Sequence, residues 1–472
     1  MPFLLLPPLL GGLSHKGAKI WARADARTKM HVWLATKQNA SDAKYIGAAD
    51  LLPENGCAGV LPITGLKADT KYFYAVNLKK IRPQKGSFHA FTTFPKPGAQ
   101  QSFNFIFGSC YRPSDEHGGE TLDKLRGHIE SDELRFGLMI GDQIYADAGE
   151  YNGLGKVAVT LDEYRKVYET NWSHEAMRDF LPNLPLFMTL DDHEVDDDWR
   201  WRDPSRQWAD ISILKKFTRF LAGRPPQERH LSAERVRAAL KAYEEHQVIH
   251  APDPLIPFDA DERGNLVLHP QDPASYAYSF TVGGAAFFVL DTRTMRVNKR
   301  GEKTMLGKGQ WVMLEQWLRD VKDKYKVKFI VSSCSLLHPF FFDVANDRWS
   351  GFPKEQQRLL KFLAVNEIEG VRILVGDLHS GHAVTAQLKC PSGKRIPIAE
   401  FCASPFEQES VWLSFGYIPL FSKWLTGQKR HFYRAFNNFG LVHVDFDSPE
   451  PTVTFTLHYK RKDGWTTASL TA

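Results

Sequence analysis

Cysteine is sparse in this sequence, and its few occurrences are scattered. Cys57, Cys110, Cys334, Cys390 and Cys402 are odd in number, lie far apart in a 472-residue chain and form no CxxC. That speaks against a disulfide framework and a close-spaced structural zinc site, and mildly favours a reducing compartment. An excess of one charge is also lacking: 60 Lys and Arg against 55 Asp and Glu leave a formal net charge of +5. So weak a balance gives no ground for nucleic acid or an anionic membrane as partner. Long apolar runs are missing too. Phe3 to Leu10 has no basic residue before it and no small-residue cleavage site in register after it, so it reads as an edge strand rather than a signal peptide. Val411 to Leu425 carries Ser, Gly, Pro and Lys and falls short of the roughly 20 residues that a transmembrane helix needs. The chain reads as soluble and cytoplasmic, or as secreted if a signal has been removed. Repeats and low-complexity tracts are absent.

Aromatic residues are plentiful. Twelve Trp, 15 Tyr and 32 Phe give apolar area enough to offset chain entropy, which rules out disorder. The length suits two or three domains, or one large domain with an addition. Residues 1–97 read as all-β: KIWARA (19–24), MHVWLA (30–35), GVLPITGL (59–66), KYFYAV (71–76) and SFHAFTT (87–93) are short β-rich runs separated by turn residues. This spacing predicts a β-sandwich of the fibronectin-III or immunoglobulin type. GLKADTKYFY around Leu66 and Tyr72 has the look of a tyrosine corner, the alternative being a plain loop entering a strand. FPKPGAQQ (94–101) reads as a linker.

From residue 102 the pattern changes. FNFIF (103–107), FGLMI (136–140), LFMTL (186–190), AFFVL (286–290), KFIVSS (328–333) and VRILV (371–375) are continuous apolar runs, as in strands buried on both faces. Helical patterns lie between several of them: Gln310 to Val321, and Ser232 to His246 with Ser232 as N-cap. Strands alternating with helices imply an α/β core over 102–472.

Nearly every apolar strand runs into polar or metal-capable residues: GSCYR (108–112), GDQIYAD (141–147), DDHEVDDDW (191–199), DTR (291–293) and GDLHSGH (376–382). Ligand sites in α/β sheets gather just beyond the carboxyl ends of strands. Asp142, Asp192 and Asp377 supply hard oxygen donors, while Cys110, Tyr145, His379 and His382 supply softer or phenolate donors. That mixture suits iron(III) beside oxygen-loving divalent ions, and two metals about 3.5–4 Å apart clamp a transferring phosphoryl group. The glycine before Asp142 and Asp377 lets each turn bring a carboxylate close to a metal.

GSC, GDQIY, DDHEV, LDTR and GDLH, in this order after a β-rich N-terminus, resemble the PhoD-like alkaline phosphatases of the metallophosphoesterase superfamily. The resemblance covers essentially the whole chain. It implies a four-layer α/β/β/α core, hydrolysis of phosphate mono- and diesters, and a centre of Fe(III) with one or two Ca(II). Carried over motif by motif, it makes Cys110, Asp142, Tyr145 and His379 the iron ligands. Asp142 then bridges to calcium, with Asp192 and Asp377 on that side, and His193 faces the substrate phosphate. Arg112, Arg293 and His382 are candidates for the phosphate pocket or its support, although Arg293 has the alternative of pairing with an acid across the core. Asp196, Asp197 and Asp198 stand where the family has asparagine, which makes an added calcium ligand or a phosphate-repelling charge the two outcomes there. The reaction expected is in-line attack by a metal-activated hydroxide on a small phosphorylated substrate, with His193 contacting phosphate or protonating the leaving alkoxide. The alternatives are a phosphodiesterase or phospholipase-D-like enzyme on the same centre, and a calcium-stabilised binding protein with a degenerate site. The aromatic run from Trp412 to Phe436 reads equally as a lid over the site or as core packing.

Overall fold

A computed structural model describes residues 1–114, 118–131, 133–197, 199, 231–255, 275–297, 303–338, 348–408 and 419–472. Asp198 and positions 412–418 of the aromatic run lie outside the described residues. The described residues are mixed α/β and form four sheets.

Two sheets form the N-terminal part. One is antiparallel, in the order β1 (Leu4–Gly11), β2 (Gly17–Ala24), β5 (Ala58–Thr64), so the Phe3–Leu10 segment is indeed an edge strand. The other runs β4 (Lys44–Leu51), β3 (Thr28–Ala35), β6 (Lys71–Asn77), β7 (His89–Thr92). Ala22 and Ala24 of β2 cluster with Met30 of β3 and Leu51 of β4, so the small side chains lie where the sheets meet. The tyrosine corner is present: the Lys67 amide donates to Tyr72 Oη at 3.0 Å.

The larger part holds two more sheets. The first places β8 (Phe103–Gly108), β9 (Leu134–Ile140) and β10 (Leu186–Thr189) in parallel, and antiparallel β18 (Asn438–Asp445), β19 (Thr452–Arg461) and β20 (Gly464–Thr471) extend it beyond β8. The second runs β11 (Tyr278–Val282), β12 (Ala285–Val289), β13 (Val327–Ser332), β14 (Val371–Val375), β16 (Arg395–Cys402), β15 (Gly381–Lys389), β17 (Leu425–Arg434), with β12, β13, β14 and β16 parallel.

Phenylalanines join the two sheets face to face. Ring centroids lie 5.4 Å apart for Phe105 and Phe329, 5.6 Å for Phe136 and Phe287, and 4.9 Å for Phe401 and Phe455. Each such fully buried ring contributes on the order of 1.5–3 kcal/mol. Alternate residues face the other way: Ile106 and Met139 cluster with α1 (Glu120–Ser131), α2 (Leu161–Ser173), α3 (Glu175–Phe180) and α4 (Ala233–His246). Ile330 and Ile373 cluster with α5 (Gly307–Val321) and α6 (Pro353–Val365). Apolar neighbours on both faces explain the unbroken hydrophobic runs. Ser232 caps α4 through the Arg235 amide at 3.1 Å. All five cysteines are buried as free thiols.

Candidate metal centre

The carboxyl ends of β8, β9 and β10 meet those of β12, β13 and β14 across the sheet interface. Ser109 Oγ accepts from the Asp377 amide at 3.1 Å, and Arg293 reaches Asp191. The approach requires glycine: a Cβ on Gly376 would lie 2.7 Å from Ser109 Cβ, and one on Gly141 2.5 Å from Asp191 Cβ. Four residues of the turns lie in the left-handed region without being glycine: Cys110 (φ 61°), Asp142 (57°), Asp377 (64°) and His379 (48°). Each costs of order 1–3 kcal/mol, and such residues gather at functional sites because the surroundings over-determine them.

The side chains converge on Asp142. Cys110 Sγ donates to Asp142 Oδ2 at 3.4 Å and accepts from Ser404 Oγ at 3.3 Å. Tyr145 is hydrogen-bonded to Cys110, and its Oη lies 3.3 Å from His379 Nε2. On the other side, donor atoms of Asp142, Asp192 and His193 lie within 4.8 Å of one another, and so do those of Asp142, Asp191 and Asp377. Asp142 therefore belongs to every group. These residues fit a cation. Burial, then Cys110, pushes the Asp142 carboxyl well above the carboxylate range. Burial and then Asp377 take the Cys110 thiol up to about 12, and Tyr145 is raised by burial, Cys110 and Asp142. So many buried acids cannot ionise together alone; a bound cation reverses the sign of each shift.

The family model of PhoD-like phosphatases matches residues 105–455. The chain belongs to that family. Alkaline phosphatase D of Bacillus subtilis is 27% identical over 329 residues, 62% of this chain and 48% of the relative, so the chain spans about half the length of that protein. A solved PhoD structure aligns with a TM-score of 0.72 at 19% identity, covering 99% of this chain and 90% of the other. Purple acid phosphatase PPD1 from yellow lupin seeds aligns at 0.57 and 13% identity, over 100% and 74%. These two alignments speak for the fold.

In this member of the family, Cys110, Asp142, Tyr145, Asp192, His193, Asp377 and His379 are brought together. The His193 ring packs on Tyr145 with centroids 4.2 Å apart, and its Nδ1 lies 2.8 Å from Asp147 Oδ1. Burial opposes a charge on this ring, yet Asp147, then Asp192 and Asp142, outweigh it and hold its pKa well above the ordinary imidazole value. Arg112 lies on the rim, over Tyr145 and paired with Glu150 at 3.3 Å. Arg293 is fully buried; its Nε and Nη2 donate to Asp191 at 2.5 and 2.8 Å, and Nη1 lies 3.5 Å from Asp192. His382 is also fully buried, with Nε2 3.0 Å from Glu400 Oε1. Asp196 is paired with Arg235 at 2.9 Å, and the Asp197 amide donates to Asp147 Oδ2 at 3.1 Å.

Three residues were not singled out in the sequence. Asp147 holds His193. Asp191 takes two bonds from Arg293 and one from Ser333 Oγ at 2.6 Å, so it carries the arginine while an oxygen stays grouped with Asp142 and Asp377. Glu194 accepts from the amides of Asp142, Gln143 and Asp191 at 3.2, 2.8 and 2.9 Å and so ties the first two motif turns together. Each lies inside a motif already chosen, and an acid count over GDQIYAD and DDHE is the signal that would have found them.

Proposed function

We propose that this protein hydrolyses phosphate mono- and diesters at a centre of Fe(III) and Ca(II). Cys110, Asp142, Tyr145 and His379 would hold the iron, and Asp142, Asp192 and Asp377 the calcium. The observation that carries this is Asp142, shared by the thiol–phenol–imidazole group on one side and the carboxylate groups on the other. The phenolate and imidazole suit iron, the thiolate adds a donor that calcium does not take, and carboxylates of irregular geometry suit calcium. When bound, the metals supply a hydroxide nucleophile at neutral pH and the Lewis acidity that offsets charge on the phosphoryl oxygens.

The chain's own residues do the rest. Asp147 holds His193 through Nδ1, which leaves Nε2 to carry a proton towards the phosphate or the leaving alkoxide. Arg112, part-exposed over Tyr145, is the arginine placed to meet phosphate. Arg293 has its fork filled by Asp191 and acts through the carboxylates instead. Support for a β-sandwich over 1–97 and an α/β/β/α core over 102–472 comes from the alternation of side chains between sheet–sheet and sheet–helix clusters.

The test is metal analysis of the purified protein, with nitrophenyl phosphate and bis-nitrophenyl phosphate assayed before and after chelation. Chelation abolishes turnover, and calcium restores it better than magnesium, which demands near-ideal octahedral geometry. Rescue by magnesium alone, or full activity without metal, overturns the assignment.

A further inference from the structure

One of the N-terminal sheets meets the larger part of the protein at a buried histidine that the reading above does not use. His246, on the last turn of α4, is fully buried and stacks flat on Tyr168 of α2, with ring centroids 4.2 Å apart at 5°. Trp21 of β2 and Trp172 of α2 also pack on the ring, at 5.9 and 5.7 Å. The hydrogen bonds of the ring fix one neutral tautomer. Nδ1 lies 2.7 Å from the Ala242 carbonyl, which only accepts, and Nε2 lies 3.0 Å from Nη1 of Arg23, which only donates. Nδ1 therefore carries the proton and Nε2 the lone pair.

Arg23 is held in place as well. It is buried, and it also donates to the carbonyls of Gly56 at 3.0 Å and Arg165 at 3.3 Å. Around the pair stand Arg165, Tyr168 and Glu169 of α2, Glu245 of α4, Cys57 before β5, and His250 in the turn after α4. Glu245 takes two bonds from Arg165, at 2.8 and 2.7 Å, and Glu169 one from Lys166 at 2.6 Å. Burial, then Arg23, holds the His246 ring well below the ordinary imidazole pKa; Arg165 and His250 add to this, and the Ala242 carbonyl works against it. A proton on Nε2 would set donor against donor and cation against cation in a site with no exposed surface.

Towards their first turns, the same two helices hold the metal centre. Arg235 of α4 donates to the Val195 carbonyl at 3.3 Å and to Asp196 Oδ1 at 2.9 Å, and Tyr164 of α2 donates to the Val195 carbonyl at 2.9 Å. The Val195 and Asp196 amides in turn bond the Asp192 carbonyl at 2.8 and 2.7 Å. One helix pair thus runs from β2 to the turn that bears Asp192 and His193.

We propose that the Arg23–His246 contact is an acid-sensitive latch: a proton on Nε2 parts α4 from β2 and loosens the hold of α2 and α4 on the Asp192–Asp196 turn, so that acid switches the centre off while the central strands stay folded. The link to activity rests on the phosphoesterase reading; the latch does not.

Hydrogen exchange read by mass spectrometry at pH 7.5 and pH 5.0, with labelling times scaled for the intrinsic rate, tests the latch without turnover. Once released, His246 takes a proton near pH 6.5, so the open fraction rises by about 30-fold between these pH values. Peptides of α2 and α4 in the wild type show that rise, and those of β12 and β13 do not. His246→Gln, which still accepts from Arg23 but takes up no proton, loses most of it. Arg23→Gln, which removes the opposing charge, lowers it and serves as the second variant if the first does not fold. An equal rise in wild type and variants, or equal loss of protection in β12 and β13, overturns the latch. Turnover of nitrophenyl phosphate falls further between the two pH values in wild type than in His246→Gln, and parallel falls overturn the link to the centre. Absence of turnover at either pH with the exchange pattern intact overturns the phosphoesterase reading and leaves the latch standing.

Discussion

Glu194 should be the residue on which the geometry of the centre depends most, since both of its carboxylate oxygens hold backbone amides of the motif turns. Its carboxylate is fully buried and takes three backbone amides, from Asp142 and Asp191 on Oε2 and from Gln143 on Oε1. Hydrogen bonds to a charged group contribute about 1.5–3 kcal/mol each, and an orphaned buried amide costs about 1–3 kcal/mol. Glu194→Gln keeps one carbonyl oxygen, which serves the two amides on Oε2, but turns an NH₂ towards the Gln143 amide. The expected loss is about 2–4 kcal/mol, most of it from that one contact. Glu194→Ala orphans all three amides, and its loss approaches the whole stability of an ordinary domain, about 5–15 kcal/mol, so the glutamine variant is the informative one. Because the turns of β9 and β10 are then free to separate, the rate should fall by about 10², the scale of a 1 Å misplacement. Urea denaturation followed by tryptophan fluorescence, with nitrophenyl phosphate kinetics on the same preparation, reads both effects. A Glu194→Gln protein with wild-type midpoint and wild-type rate refutes the reasoning, since the tie between the turns would then be redundant.

The remaining predictions are independent of this one. His193→Ala lowers the rate on alkyl phosphates by about 10²–10⁴ and much less on nitrophenyl esters, whose leaving groups need no proton; an equal fall on both makes it a phosphate ligand instead. The same change costs about 0.5–1.5 kcal/mol in stability through the lost ring contact with Tyr145, so a variant that does not fold would show a structural role. Tyr145→Phe bleaches or shifts a visible absorption band if the phenolate binds Fe(III), and a colourless, iron-free, fully active wild type removes iron from the proposal. His250, fully buried with its pKa held down to about 3 by burial, stays neutral in the folded chain while the unfolded chain takes a proton near 6.5. Its contribution is complete above pH 6.5 and is lost as pH falls towards 3. Wild type should therefore lose about 2–3 kcal/mol more than His250→Gln between pH 7 and pH 4.5, and parallel stability curves would contradict this.

Much of the fold was legible because the strands that build it are apolar on both faces, as FNFIF shows with Phe105 and Phe107 turned to the partner sheet and Ile106 to the helices. What escaped notice is chemically different. In β4 only Leu51 is buried, so Lys44–Leu51 carries no apolar alternation to recognise. The last three strands are amphipathic edge extensions of a sheet that starts over 300 residues earlier, and nothing local names their partner. At the centre, donors of unusual type stood out: Cys110, Tyr145 and His379 at strand ends have few other reasons to be there. Acids that hold other side chains or amides did not. Asp147, Asp191 and Glu194 look like any acidic residue until Nδ1 of His193, the Arg293 fork and three backbone amides are placed against them.

The antiparallel pairing of β8 with β18 also sets an order of events during synthesis. Phe107 lies opposite Gly440, and the turn after β8 carries Cys110. Asn438, at the start of β18, donates through its amide to Pro405 and reaches Ser404, whose hydroxyl bonds the Cys110 thiol. Roughly 330 residues separate the two strands, and at about 5–20 residues per second a ribosome needs on the order of half a minute to supply the second after the first. Until then β8 has a neighbour on one side only, and the thiol lacks its support. The N-terminal sheets, whose strands pair with near neighbours in the chain, have no such wait. The nascent protein thus pairs the strands of residues 1–97 early and completes the candidate metal site last, once the strand at 438–445 has docked.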